Sequence, residues 1–175
     1  MLIRDLNYNE ITELAELAKK TYAETFGDSM SSEDLAIEFE VNRFEKYFKS
    51  VFNVDTILVA IISSKIAGYI QLSDAKVNIK NGPKPTNKDK AVNALYVGAD
   101  YQSKGVGRSL MDAAFTHNYL QHAKNIYIDV WDKNTKALNF YKKYGFKVVG
   151  ICDVIVNGKC VDEDLVLMRP FNLQG

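Results

Sequence analysis

The chain has 175 residues, and its 22 Lys+Arg balance 22 Asp+Glu to a formal net charge of zero. That length fits one domain spanning residues 1–175 and suffices for a hydrophobic core. A neutral chain lacks the cationic excess that a dedicated nucleic-acid binder needs, and 47% hydrophobic with 25% charged residues is a globular composition, not a disordered one.

The opening Met1-Leu2-Ile3-Arg4-Asp5 has no long apolar run of the signal-peptide kind and supplies a short first strand at Leu2–Arg4. No window approaches the ~18 consecutive apolar residues of a membrane span, so a cytoplasmic protein without membrane association is expected. Ile11, Leu14, Ala15, Ala18 and Tyr22 recur at helical spacing, which predicts a helix over Ile11–Phe26, capped by Asn7 or Asn9 and ended by Gly27. Ser31-Ser32-Glu33-Asp34 has the hydroxyls and early acids of a helix start. The second helix is expected to run to about Ser50 with Leu35, Phe39, Phe44, Tyr47 and Phe48 inward.

Thr56–Ile62 and Ile66–Leu72 are β-branched runs around Ser63-Ser64-Lys65 and predict an antiparallel hairpin. Residues 73–90, with Gly82, Pro83, Pro85 and five lysines, read as a solvated surface loop. A strand over Ala91–Val97, a helix from Gly105 to about Gln121, a strand over Asn125–Trp131 and a short helix over Thr135–Tyr144 follow. Lys147–Val156 and Lys159–Met168 close the chain as a hairpin about Asn157-Gly158. Counting outward from that turn, Ile155 faces Cys160 and Cys152 faces Glu163, so the two cysteines are not partners and read as reduced thiols. The order β-α-α-β-β-β-α-β-α-β-β is a mixed α/β arrangement about one sheet.

Two segments carry chemistry. After Leu95-Tyr96-Val97 comes Gln102-Ser103-Lys104-Gly105-Val106-Gly107-Arg108-Ser109, a strand leading through glycines into a helix. Such a start presents unpaired backbone N–H groups and the positive end of the helix dipole to phosphate oxygens. It has neither the third glycine of a dinucleotide fingerprint nor the Gly-Lys-Ser/Thr of a triphosphate loop, and a plain tight turn would use the same glycines. In the second segment Asn134 caps a helix, Ala137, Phe140, Tyr141 and Tyr144 share one side, and Gly145 suits a left-handed end.

Gln-x-x-Gly-x-Gly followed about 30 residues later by Asn-x-x-Ala-x-x-Phe-Tyr-x-x-x-Gly-Phe resembles the GNAT superfamily of acyl-CoA-dependent N-acetyltransferases. The likeness spans Ala91–Phe146. It implies a mostly antiparallel twisted sheet with a splayed parallel strand pair, Ala91–Val97 and Asn125–Trp131, flanked by about four helices. It also implies acetyl-CoA as co-substrate; no Cys/His cluster has zinc spacing, so no metal is expected, and the zero net charge argues against a nucleic-acid partner. The pyrophosphate would lie on Gln102–Ser109, and the pantetheine arm against Leu95, Tyr96 and Val97. Asn134 would contact the pantetheine arm or the substrate side of the cleft, a role that can hold together with helix capping, and Ala137 would border the cofactor. Tyr141 would protonate the leaving thiolate, although without that resemblance its residue pattern reads as a core aromatic on a short helix. Thr21–Gly27, Ser32–Leu35 and Asp162–Met168 resemble the bacterial polyamine acetyltransferase branch. That likeness implies a small-molecule amine such as spermidine or spermine. A protein or peptide N-terminal acetyltransferase and a non-catalytic acyl-CoA-binding regulator are the alternatives. The fold also admits a homodimer.

The resemblance implies a Glu on the strand entering Leu-Tyr-Val, as many members of that superfamily carry, whereas Ala91-Val92-Asn93-Ala94 has no carboxylate. Water, a backbone carbonyl, Asp129, Glu24 or Asp28 remain as proton acceptors. Glu24, Asp28, Glu33, Asp34 and Glu38 gather where the fold forms its acceptor wall. His117 and His122 fall about 140° apart on the predicted helix, too far round to share a metal. Trp131 lines the cleft or packs in the core.

Overall fold

The computed structural model describes residues 1–27, 31–33, 36–37, 45–156 and 158–171. Its elements are β1 (Leu2–Asp5), α1 (Ile11–Phe26), α2 (Glu45–Val51), β2 (Thr56–Ile62), β3 (Lys65–Asp74), β4 (Lys90–Val97), α3 (Val106–Thr116), β5 (Asn125–Trp131), α4 (Thr135–Lys143), β6 (Lys147–Val156) and β7 (Lys159–Pro170). Seven strands pair in the order β1-β2-β3-β4-β5-β7-β6. The β4–β5 ladder, Lys90↔Ile126 and Ala91↔Tyr127, is parallel, and the ladders β1–β2, β2–β3, β5–β7 and β6–β7 are antiparallel. The chain divides into two compact units, Met1–Leu72 with Ala94–His117 and Ser73–Asn93 with Asn118–Gly175.

In the first unit the stripe on α1 buries Ile11, Leu14, Ala15 and Ala18 against Ile57, Val59 and Tyr69 of the sheet, with Phe48 of α2 beside them. Each Ile, Leu or Val so buried contributes about 1.5–3 kcal/mol. A 3₁₀ turn at Tyr8–Glu10 precedes α1. The Asn7 N–H donates to the Glu10 carboxylate, 3.0 Å, which the Arg4 guanidinium grips at 2.6 and 2.8 Å. Asn7 therefore serves the turn rather than α1. Gly27 ends α1 by donating its N–H to the Ala23 carbonyl at 2.8 Å with an ordinary φ of −57°. Of the second predicted helix, residues 32–33, 36–37 and Glu45–Val51 are helical; Leu35, Phe39 and Phe44 lie outside the described residues. The β2–β3 turn is tighter than expected, two residues, with Ser63 and Ser64 at φ 49° and 61°. Positive φ at both central positions is the hairpin geometry that matches strand twist.

The helix expected to reach Gln121 stops at Thr116, because the chain turns extended at His117 (ψ 140°) and a 3₁₀ turn follows at Asn118–Leu120. Thr116 Oγ1 bonds back to the Ala113 carbonyl at 3.0 Å, one of the local bonds by which short polar side chains compete with helix. The half-buried His117 lies 3.5 Å from Asp5, and the exposed His122 is off the helix.

In the second unit residues 73–90 are more than a solvated loop. Ile79 is buried in a cluster with Tyr127, Cys152 and Val166, and Lys80 forms an antiparallel bridge with Ile151. Asp89 is 2% exposed and accepts from the Thr86 N–H (2.7 Å), Thr86 Oγ1 (2.8 Å) and Asn125 Nδ2 (2.8 Å). The β6–β7 register departs from the straight count. Ile155 faces Cys160 as expected, but a bulge between Val154 and Ile155 moves the pairs from Val154 back to Gly150 by one, so Cys152 faces Asp164 and not Glu163. A second bulge between Val148 and Gly150 restores the original count. Both cysteines are free thiols, Cys152 buried and Cys160 exposed.

Candidate active site

The helix start expected to bind phosphate lies in the first unit. Gly105 is its N-cap at φ 83°, ψ 0°, the left-handed region that a Cβ disfavours. Ser103 is also left-handed at φ 60°. The alternation turns the chain sharply and leaves Gln102, Ser103, Lys104, Gly105 and Arg108 exposed, while Val106 is buried as the anchor. An added Cβ at Gly105 would meet nothing within 4 Å, so the ground before the helix is open. Gln102 Nε2 donates to the Val97 carbonyl at 3.2 Å and ties the loop to the end of β4. Gly107 sits over Val97, where an added Cβ would stand 3.6 Å from Cγ2, and Ser109 donates its N–H to the Gly105 carbonyl at 2.9 Å. Leu95, Tyr96 and Val97 are half-buried at the end of β4.

Gly68 on β3 is a position that motif reasoning misses. A Cβ there would stand 2.7 Å from the Tyr96 carbonyl oxygen, so only glycine lets β3 lie against this part of β4. A lone glycine inside a β-branched run is the signal that points to it.

The other expected residues lie in the second unit. Asn134 caps α4, its side-chain oxygen accepting from the Ala137 N–H at 3.1 Å. Tyr141 is buried, 5% exposed, with its ring edge-on to Phe140 and Phe146 at centroid distances of 5.3 and 5.8 Å. Gly145 takes the left-handed C-terminal turn at φ 81°. Trp131 is half-buried; its indole N–H donates to Asp162 at 3.1 Å, and Lys133 Nζ lies 5.5 Å from its ring centroid.

On β4, Asn93 donates to Ser73 Oγ at 2.7 Å. Of the acids that the sequence offers as proton acceptors, Asp129 and Glu24 are exposed, Glu24 stands 4.0 Å from Lys20, and Asp28 lies outside the described residues. So do Asp34 and Glu38 of the expected acceptor wall, while Glu33 is exposed. Asp164 on β7 is a further half-buried acid. Burial pushes its carboxyl up to about 7, with Asp129, Asp162 and Asp132 adding repulsion. Burial likewise pushes the neighbouring Cys152 thiol up to about 12, so it stays protonated. Among the described residues no group of three or more His, Cys, Asp or Glu is arranged to hold a metal ion. Nor is any helix among them long and apolar enough to cross a membrane.

A mostly antiparallel seven-stranded sheet with one parallel pair and a glycine-opened helix after β4 defines the fold class of the acyl-CoA-dependent transferases. Residues 11–146 match the acetyltransferase (GNAT) family, and the chain belongs to that family. Its members transfer an acetyl group from acetyl-CoA to an amine. The PaiA N-acetyltransferase of Thermoplasma acidophilum, solved in complex with coenzyme A, superposes with a TM-score of 0.73 over 97% of this chain and 98% of that one, at 21% identity. An N-alpha-acetyltransferase of Saccharolobus solfataricus is 26% identical over 175 residues, 96% of this chain and 92% of the relative. A spermine/spermidine N(1)-acetyltransferase of Bacillus subtilis is 30% identical over 60 residues, 34% of this chain and 40% of the relative.

Proposed function

We propose that the chain transfers an acetyl group from acetyl-CoA directly to a primary amine of a small molecule of the polyamine class. The observation that carries this reading is the start of α3. The left-handed Gly105 leaves it open and exposed, with Lys104 and Arg108 alongside. Backbone N–H groups of Gln102–Ser109 receive the pyrophosphate oxygens, and the charge of the helix dipole favours them. Leu95, Tyr96 and Val97 offer backbone groups to the pantetheine amides, with Asn134 and Ala137 at the thioester end. Tyr141 donates its phenolic proton to the departing thiolate. A phenol within hydrogen-bond reach can protonate or stabilise such a leaving group. The family match from 11 to 146 runs through both compact units, which supports reading 1–175 as one acetyltransferase domain.

The polyamine acceptor is supported by the partial likeness to the Bacillus subtilis enzyme. A second reading, acetylation of a protein N-terminus, is favoured by the match to the Saccharolobus solfataricus enzyme over nearly the whole chain. An acceptor panel of spermidine, spermine, free amino acids and short peptides, scored by mass spectrometry of the products, separates them. Acetylated spermidine or spermine as the main product supports the first reading. A preference for peptide α-amines, or for neutral or anionic acceptors, overturns it. Acetyl-CoA binding without transfer to any amine points to the non-catalytic regulator instead.

A further inference from the structure

We propose that residues 75–82 are a self-capping strap: they occupy the outer edge of β6 in the place that a second copy of the chain would take, so that displacing them converts the chain into a two-fold dimer joined β6 to β6. The inference stands independently of the acetyltransferase reading.

The outer strands of a sheet carry backbone N–H and C=O groups that point away from their single neighbour, and a long exposed edge recruits another strand. β1 and β6 are the outer strands of this sheet. β1 has four residues, too few for a lasting template, whereas β6 has ten. Val148 and Ile155 of β6 are large apolar side chains that stand 56% and 54% exposed. An edge of this length and composition attracts a partner unless something covers it.

Residues 75–80 supply the cover. Ala75, Val77 and Ile79 alternate with the polar Lys76, Asn78 and Lys80, which is the period of a strand. The three apolar residues pack in the cluster of Tyr127, Cys152 and Val166, where Ile79 is buried. Lys80 bridges Ile151 in the antiparallel sense, its N–H donating to the Ile151 carbonyl at 2.8 Å. The Lys80 ammonium is gripped by Asp153 and, at 2.8 Å, by Glu163. Those two acids are a cross-strand pair on the face opposite Cys152. The strap thus closes over the edge, with Ile79 plugging one face and Lys80 clamped on the other.

Two glycines allow the close approach. A Cβ at Gly150 would stand 2.4 Å from Ile79 Cγ2 and 3.0 Å from the Lys80 carbonyl oxygen. One at Gly82 would stand 2.6 Å from the Val149 carbonyl oxygen. Asn81 is left-handed at φ 54°, and the pairing ends after one bridge. So little backbone hydrogen bonding makes the strap displaceable.

The occupant that the bared edge fits is β6 itself. Two antiparallel copies of one strand pair about a two-fold axis, the isologous arrangement of closed dimers. Centred near Ile151, that pairing brings Val148 of each copy towards Ile155 of the other and covers the apolar side chains that the strap leaves exposed. It takes over the edge groups around the Ile151 carbonyl, which the strap holds. Strap and second copy therefore exclude one another.

Full-length wild type, Gly150→Val and Lys80→Pro are compared by size exclusion with light scattering from about 10 to about 300 μM, alongside thermal unfolding and amide hydrogen exchange. Gly150→Val pushes the strap away while adding a strand-favouring side chain to β6. Lys80→Pro deletes the bridging N–H and leaves β6 unchanged, so it carries the test where Gly150→Val fails to fold. Wild type should keep the monomer mass of 19.8 kDa throughout. Both variants should rise towards twice that mass with concentration. The Lys80 amide should be protected in wild type and exchange at least about 10-fold faster in Gly150→Val. Adding Val148→Lys to either variant should restore the monomer, since it sets a charge on the bared edge. Folded variants that stay monomeric across the range overturn the proposal. So does a wild type that dimerises as readily as the variants, or one whose Lys80 amide exchanges freely. A variant dimer indifferent to Val148→Lys also overturns it, because the copies then join elsewhere. Acetyl transfer is not read in any of these arms, so their failure leaves the acetyltransferase reading as it was.

Discussion

Gly105 and Tyr141 show how much can rest on single atoms. At Gly105 a methyl group would strike nothing, so Gly105→Ala isolates the backbone cost of a left-handed residue, about 1–2 kcal/mol. Thermal unfolding should show that loss, and acetyl-CoA affinity should fall as the turn relaxes and the N–H groups shift. Tyr141→Phe keeps the ring in its edge-on contacts with Phe140 and Phe146 and removes only the hydroxyl. Turnover should drop about 100-fold, with acetyl-CoA affinity nearly intact. Unchanged kcat in the folded variant would remove Tyr141 from the chemistry. Gly105, Asn134 and Tyr141 are legible in the sequence because each sits in a local pattern: a glycine before a helix, a cap three residues before an accepting N–H, and an aromatic on a helix side. Asp164 is legible there only as a member of Asp162-Glu163-Asp164. Its character depends on which strand faces it, and that is not local information.

At the level of elements, hydrophobic period locates the strands within a residue or two and α1 to the residue. The departures have local causes. Residues 73–90 look solvated because lysines and prolines dominate them, yet Ile79 and Asp89 anchor the segment, one by burial and one by hydrogen bonds. The third helix ends early through back-bonding by Thr116 and an extended His117. The closing hairpin follows the simple count at its turn and leaves it one pair further on, since a bulge adds a residue without any marker in the hydrophobic pattern. A crosslink tests this register. With Cys160 replaced by Ser, Asp164→Cys should form a disulfide with Cys152, because directly opposed residues have Cα atoms about 4.5–5.5 Å apart, within disulfide range. Glu163→Cys should not, as its side chain points to the other face. Non-reducing peptide mapping distinguishes the two, and the reverse result would restore the unbulged count.

For the molecule as a whole, zero net charge conceals opposed local fields. Lys104 and Arg108 flank the helix start in one unit, and Asp129, Asp132, Asp162 and Asp164 gather in the other. The two kinds of perturbed acid act in opposite directions on stability. The Arg4 hydrogen bond holds the Glu10 carboxyl down to about 2 from 4.5, so its contribution is complete above pH 4.5 and is lost as pH falls towards 2. The stability gap between wild type and Arg4→Met should therefore narrow over that interval in urea titrations. Asp164 is raised from 3.8 to about 7, so the folded state holds its proton longer, and stability falls as pH rises between those values.

The most direct test of the central claim is acceptor-dependent release of CoA thiol from acetyl-CoA by the full chain, with spermidine as the amine. The expected result is thiol and N-acetylspermidine in equal amounts, and no thiol above background without amine. Failure to bind acetyl-CoA, or to release thiol with any amine offered, would contradict it.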